Sequence, residues 1–295
     1  MPPEGTIPLL HNDILTYEEM VRFAACACAA GISKIRLTGG EPLVRKDVEV
    51  LIRRLALLSP ELDLSLTTNG VLLSEYADIL RQCGLKRVNV SLDSLDPRTY
   101  AQITRGGELS RVIAGIESAL RAGLEPVKLN VVAMRGVNDD LEPFVRFMHE
   151  HPVDVRFIEF METKTNVARG IRYFIPVEEV ERRLAAFGVL EQTNAPVGAG
   201  PARYKSLQGA LGKVGFISPV SSHFCPTCNR LRLTADGKLR ACLFSNHETD
   251  IRSLLRSGAS EEAVIEAIRE VLQAKPKDHG LTIGGLNRTM SQIGG

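Results

Sequence analysis

Cys225-Pro-Thr-Cys228-Asn-Arg-Leu-Arg carries the strongest chemistry in this chain, and Cys242 follows Cys228 after thirteen intervening residues. Two cysteines three positions apart can aim both sulfurs at one metal site from a tight turn. A third, returning from a short hairpin, closes most of a coordination shell. Arg230 and Arg232 alternate, so in an extended segment both guanidinium groups leave one face, suited to phosphate or carboxylate. A structural zinc ion wants four protein ligands, with His223 or His247 available as the fourth. An iron–sulfur cluster held by three thiolates leaves one iron open to a ligand. Spacing alone favours zinc.

The chain that must position these groups has 295 residues, 44% hydrophobic and 24% charged. That is the composition of a globular α/β chain, not of a disordered or fibrous one. A net charge of +1 excludes a globally basic nucleic-acid binder, so any polyanion must be met by a local cluster of cations. No apolar run approaches the roughly 20 residues of a membrane span, and no signal peptide is read at the start. Six cysteines are too few for a disulfide scaffold, which makes a reducing cytoplasm the natural compartment.

Helix and strand patterns alternate along the first half. Helices are expected over 17–30 (capped by Thr16 and stopped by Gly31), 46–58, 75–83, 108–122 and 141–150. Strands are expected over 34–38, 62–66, 87–90, 126–133 and 153–160. This rhythm implies parallel strands with helical crossovers. Polar residues cluster after each strand, at Thr38–Glu41, Thr67–Asn69, Ser91–Asp93 and Met161–Glu162, where a parallel barrel builds its site. About five strands are too few for a closed barrel. The expected fold is therefore a partial, incomplete TIM-like β/α barrel over 1–210. A small α+β cluster-binding extension over 211–295 follows, with strands at 212–218 and 230–239 and a helix at 261–274. Gly200-Pro-Ala-Arg-Tyr204 reads as a rigid turn presenting an arginine.

The motifs that carry a resemblance are Lys34-Ile-Arg-Leu-Thr-Gly-Gly-Glu-Pro-Leu43, Leu66-Thr-Thr-Asn-Gly70, Val88-Asn-Val-Ser-Leu-Asp93 and Lys128-Leu-Asn-Val-Val132. They continue with Arg156-Phe-Ile-Glu-Phe-Met161, Gly200–Tyr204, the three late cysteines and the terminal Gly-Gly. In this order over the whole chain they resemble the GTP 3′,8-cyclase family of radical S-adenosylmethionine enzymes, which opens molybdenum cofactor biosynthesis. The resemblance implies a lyase reaction in which an adenosyl radical takes the ribose 3′ hydrogen of GTP. The carbon radical then closes on guanine C8, giving (8S)-3′,8-cyclo-7,8-dihydroguanosine 5′-triphosphate. It further implies that Gly39, Gly40, Glu41, Ser91 and Met161 contact S-adenosylmethionine. Lys34, Arg36, Thr67, Lys128, Arg156, Arg230, Leu231 and Arg232 would contact GTP. Cys225, Cys228 and Cys242 would hold an auxiliary [4Fe-4S] cluster whose open iron takes the guanine. Arg230, Arg232, Gly294 and Gly295 would assist the reaction. Implied partners are a flavodoxin- or ferredoxin-type electron donor and the next enzyme of the pathway, cyclic pyranopterin monophosphate synthase, with a homodimer left open.

One departure matters. Family members carry a Cys-x-x-x-Cys-x-x-Cys loop after their first strand for the cluster that cleaves S-adenosylmethionine. Here Met1-Pro-Pro-Glu-Gly5 matches the residues just past that loop. Cys26 and Cys28 cannot replace it, since two residues on a helix point about 200° apart. Met1 is accordingly read as an internal methionine taken for the start, and these 295 residues as inactive by themselves. Rival readings are a GTP-binding remnant and a peptide-modifying radical enzyme, although the latter would call for further cysteines after Cys242. Plainer roles also stand. Cys26, Cys28 and Cys83 suit helix interiors, and Lys34 suits a solvated strand edge. Thr67 and Ser91 suit caps, Met161 suits a core, and Gly294-Gly295 suits a frayed end. Asp93 and Glu159 also suit rim acids pairing with the cations, with no catalytic role.

Overall fold

The computed structural model describes residues 10–161, 170–198, 200–278 and 287–293. Its centre is one eight-stranded sheet of order β1-β2-β3-β4-β5-β8-β7-β6. The strands are β1 (Lys34–Leu37), β2 (Asp63–Thr68), β3 (Arg87–Ser91), β4 (Val127–Ala133), β5 (Val153–Glu159), β6 (Leu190–Gln192), β7 (Arg203–Leu207) and β8 (Lys213–Ile217). β1 to β5 and β8 are parallel, while β7 and β6 return antiparallel at the far edge. Helices fill the crossovers: α1 (Tyr17–Ala29), α2 (Val48–Ala56), α3 (Leu73–Gln82), α4 (Pro97–Thr104), α5 (Leu109–Arg121), α6 (Glu142–Glu150), α7 (Gly170–Tyr173) and α8 (Val177–Leu184). Thr16 starts α1 through a capping box with Glu19. The partial barrel expected from the sequence is what the chain forms, with six parallel strands where five were expected.

Alternation along these strands decides what the sheet can do. Leu64, Leu66, Val88, Val90, Leu129, Val131, Val155, Phe157, Val214 and Phe216 pack on the helices as the main core. The intervening residues are polar, and register brings them side by side: Ser65 beside Arg87, Asn89 beside Lys128, Asn130 beside Arg156. A barrel of this type ordinarily fills its inner face with branched apolar layers. Here that face carries charged and amide side chains instead.

The strand expected over 212–218 in a separate β region runs instead as β8 in the main sheet, paired with β5. The expected strand over 230–239 is a hairpin, β9 (Arg232–Leu233) and β10 (Lys238–Arg240), extended by β11 (Thr249–Asp250) into a three-stranded sheet. The hairpin turns where Gly237 takes φ +78°. α9 (Ile251–Arg256) and α10 (Glu261–Gln273) cover this sheet, and α11 (Met290–Ile293) ends the described chain. Phe23, Cys26 and Ala27 of α1 pack with Leu239, Ile251, Leu255, Val264 and Ile268 in a second core, so α1 ties the extension to the barrel. Cys26 and Cys83 are buried and Cys28 half-buried, and burial raises the two thiols of α1, Cys26 and Cys28, above the ordinary thiol range. These are packing thiols, as expected.

Candidate active site and cluster pocket

Cations converge on the inner face. Arg36 reaches solvent but stands within the curl of the sheet, where its pKa is pushed down to about 10. Desolvation leads, followed by the charges of Arg156, Arg87, Arg230 and Arg232. Four strand spacings of about 4.8 Å would separate β1 from β5 in a flat sheet. The field of Arg156 at Arg36 therefore reports the curl, because charges that far apart in water are screened. Lys128 is fully buried, and its Nζ donates to the Val197 carbonyl at 2.6 Å. Desolvation, Arg156 and Arg87 push its pKa down to about 7. Arg156 is buried and donates to Asn89 Oδ1 at 2.7 Å, and Asn89 in turn donates to Leu66 O and, at 3.4 Å, to Thr67 Oγ1. Arg87 forks onto Asp63 at 3.0 and 2.5 Å. Among the described residues, Arg87 Nη1, Arg156 Nε, Asn130 Oδ1 and the Tyr204 hydroxyl are buried without a hydrogen-bond partner, as polar atoms rarely are unless a ligand completes them.

The rim is built from strand ends. Gly39 adopts φ +146°, a backbone that side chains strain against, and neither Gly39 nor Gly40 has any atom within 4 Å of where a Cβ would stand. That leaves bare backbone facing open space. Glu41 is committed to the protein: its carboxylate accepts from Leu43 N, Thr68 Oγ1 (2.8 Å) and Asn69 N (2.7 Å), joining the loops after β1 and β2. Ser91 is exposed and Met161 half-buried at the same rim. Lys34 is exposed at the sheet edge, in register with Asp63.

Cys225, Cys228 and Cys242 line one pocket with Arg230, Arg232 and Phe224. Arg230 lies 5.0 Å over the Phe224 ring, and its Nε is 3.4 Å from Cys228 Sγ. Burial by itself pushes the Cys228 thiol up. The hydrogen bond and charge of Arg230, with Lys275 beyond, outweigh it and hold the thiol below its usual range. Neither His223 nor His247 lines this pocket; His223 Nδ1 is 2.8 Å from the Pro219 carbonyl. Among the described residues no three His, Cys, Asp or Glu side chains are close enough to share a single ion. The pocket lining thus offers three cysteines and no histidine as the fourth ligand that a structural zinc ion wants. Leu231 packs its side chain against the second core.

Three expectations are corrected. Glu159 does not pair with the cations: buried, it accepts from the backbone amides of Val177 (3.1 Å), Val220 (2.9 Å) and Ser221 (2.9 Å) and from the Ser221 hydroxyl. Asp93 takes the Val132 amide at 2.8 Å, and burial pushes its carboxyl up to about 6. Arg203 opens β7 and points to Glu178 and Glu181 at 4.0 Å, while its neighbour Tyr204 is the one buried against Arg156. Arg87, Asn89 and Asn130 join this face without standing among the sequence candidates; their alternation with Val88, Val90 and Val131 is the pattern that places them there. Gly294 and Gly295 lie outside the described residues.

A model of the Radical SAM superfamily matches residues 8–148, and one of Molybdenum Cofactor Synthesis C matches residues 153–281. The chain is 49% identical over 298 residues to the GTP 3′,8-cyclase of Moorella thermoacetica, covering 100% of this chain and 92% of the relative. It is 45% identical over 299 residues to that of Alkaliphilus oremlandii, with the same two coverages. Among solved structures, Streptococcus suis SuiB bound to S-adenosylmethionine superposes with a TM-score of 0.56 at 14% identity, over 89% of this chain and 61% of that one. At that identity the likeness is one of fold.

Proposed function

The chain belongs to the GTP 3′,8-cyclase family of radical S-adenosylmethionine enzymes of molybdenum cofactor biosynthesis, and from that premise we propose that its curled sheet seats GTP between the cations of the inner face and the three-cysteine pocket. The carrying observation is the burial of three cations, Arg87, Lys128 and Arg156, on adjacent strands of one face. In a chain whose net charge is only +1, such a convergence is costly unless a polyanion fills it. Arg36, Lys128 and Arg156 would hold the triphosphate, with Arg87 beside them. Thr67 and Asn89 would orient it, and Lys34 would guard the open edge. Arg230 and Arg232 would place the nucleotide over the pocket of Cys225, Cys228 and Cys242, the ligands of the auxiliary [4Fe-4S] cluster, with the backbone of Leu231 between them. S-adenosylmethionine would lie on Gly39, Gly40, Ser91 and Met161, on a rim braced by Glu41. Gly294 and Gly295 would complete the site. When bound, S-adenosylmethionine would be the source of an adenosyl radical where a reducing cluster is supplied, and the auxiliary cluster would offer an open iron to the guanine ring; holding, orienting and drying the substrate fall to the side chains named.

These 295 residues have cysteines only at 26, 28, 83, 225, 228 and 242, and no Cys-x-x-x-Cys-x-x-Cys. A polypeptide of these residues is accordingly read as binding GTP and one cluster without cleaving S-adenosylmethionine. Anaerobic reconstitution tests both statements together. The expected result is about four irons per chain, saturable GTP binding, and no 5′-deoxyadenosine. Failure to bind GTP or iron would overturn the site; formation of 5′-deoxyadenosine would overturn the inactivity.

A further inference from the structure

The last described residues and the turn after Cys242 meet at one carboxylate. Arg288 donates through Nη1 and Nη2 to Asp236 at 3.0 and 2.8 Å and through Nη2 to Glu248 at 2.8 Å, with its Nε 2.6 Å from the same Glu248. Glu248 also accepts Arg240 Nη1 at 2.5 Å. Arg240 is fully buried, and its Nη2 donates to the carbonyls of Leu243 and Ser245, bracing the turn that begins at Cys242. On the other side, Asn287 N donates to Asn246 Oδ1 at 2.9 Å. Ile293 is buried, and its carbonyl accepts from Arg232, a residue of the cysteine pocket, at 3.3 Å.

We propose that Glu248 couples the Cys242 turn to the C-terminal segment, so that ordering the turn around its cluster and seating residues 287–293 at the cysteine pocket are one cooperative event. Arg288 is the positioning residue for that segment, and through it for the point where Gly294 and Gly295 attach. The proposal rests on the reading of Cys225, Cys228 and Cys242 as cluster ligands. Its physical basis is the depth of the charges. The side chains of Arg288, Asp236 and Glu248 are 18%, 19% and 20% exposed and that of Arg240 0%, so none can be left unpaired cheaply. Arg240 cannot turn to water, so it fixes Glu248, and Glu248 with Asp236 fixes the fork of Arg288.

Hydrogen–deuterium exchange on the reconstituted chain, with iron assayed on the same samples, tests this. Arg288→Ala should speed exchange of the amides of 287–293 by about tenfold or more while iron is unchanged. Arg288→Lys, which keeps the charge and loses the fork, should fall between. Glu248→Gln should loosen 242–246 and 287–293 together, and chelation of iron from the parent should do the same. Unchanged protection in Arg288→Ala overturns the anchoring. Loosening of 242–246 alone, in Glu248→Gln or in the chelated chain, overturns the coupling. A parent that takes up no iron sinks the cluster reading instead, and the Arg288 comparison is then made on the iron-free chain.

Discussion

Lys128 should make GTP binding fall with rising pH in a range where neither phosphate nor arginine titrates. Its ammonium is buried beside Arg156, Arg87 and Arg36, which with desolvation push its pKa down to about 7; Asp154 opposes them only in part. A triphosphate placed among these cations favours the charged form, so the complex carries a proton that the free protein has largely lost above that value. The sign follows: the bound state holds more protons, and affinity declines as pH rises. From about pH 7.5 to about pH 8.5 the protonated fraction of the free lysine drops from about one in four to about one in thirty, which weakens binding about eightfold. Isothermal titration of GTP at fixed ionic strength, in two buffers of different ionisation heat, reads both the affinity and the proton taken up. Lys128→Met should bind more weakly at the lower pH and show almost no further decline. An equal slope in parent and variant, or a flat parent, would refute the argument.

Arg230→Ala should weaken GTP about tenfold to a hundredfold, the worth of one charge-assisted hydrogen bond in a dry site, and leave iron content unchanged, since the arginine touches Cys228 without being a ligand. Cys242→Ala should lose most of the reconstituted iron, read by colorimetric assay and visible absorption, while the far-ultraviolet circular dichroism stays that of the parent. Glu159→Ala strands the buried Val177 amide, the part-buried amides of Val220 and Ser221 and the Ser221 hydroxyl, and should cost about 3 kcal/mol in urea unfolding. Glu159→Gln, which retains acceptor capacity, should cost less. A loss within about 0.5 kcal/mol would contradict the bracing role.

The sequence by itself determined the parts governed by neighbours along the chain. The Thr16 cap, the period-two strands and the glycine-rich strand ends are local patterns, and β1 to β5 appear where those patterns place them. Arg36, Lys128 and Arg156 enter the site through the family motifs they sit in, and the Cys225–Cys228 spacing holds within one short turn. What only the tertiary structure decided are pairings between distant segments. β8 begins more than fifty residues after β5 and reads as well in a separate hairpin; its partner is chosen by the exposed edge of the sheet. Glu159 looks like one more rim acid until the amides of Val177, Val220 and Ser221 are folded onto it. Arg240, Glu248 and Arg288 are ordinary charges in sequence and become one network because folding buries them side by side. Local geometry is written residue by residue, whereas the pairing of buried charge depends on which surfaces folding brings together.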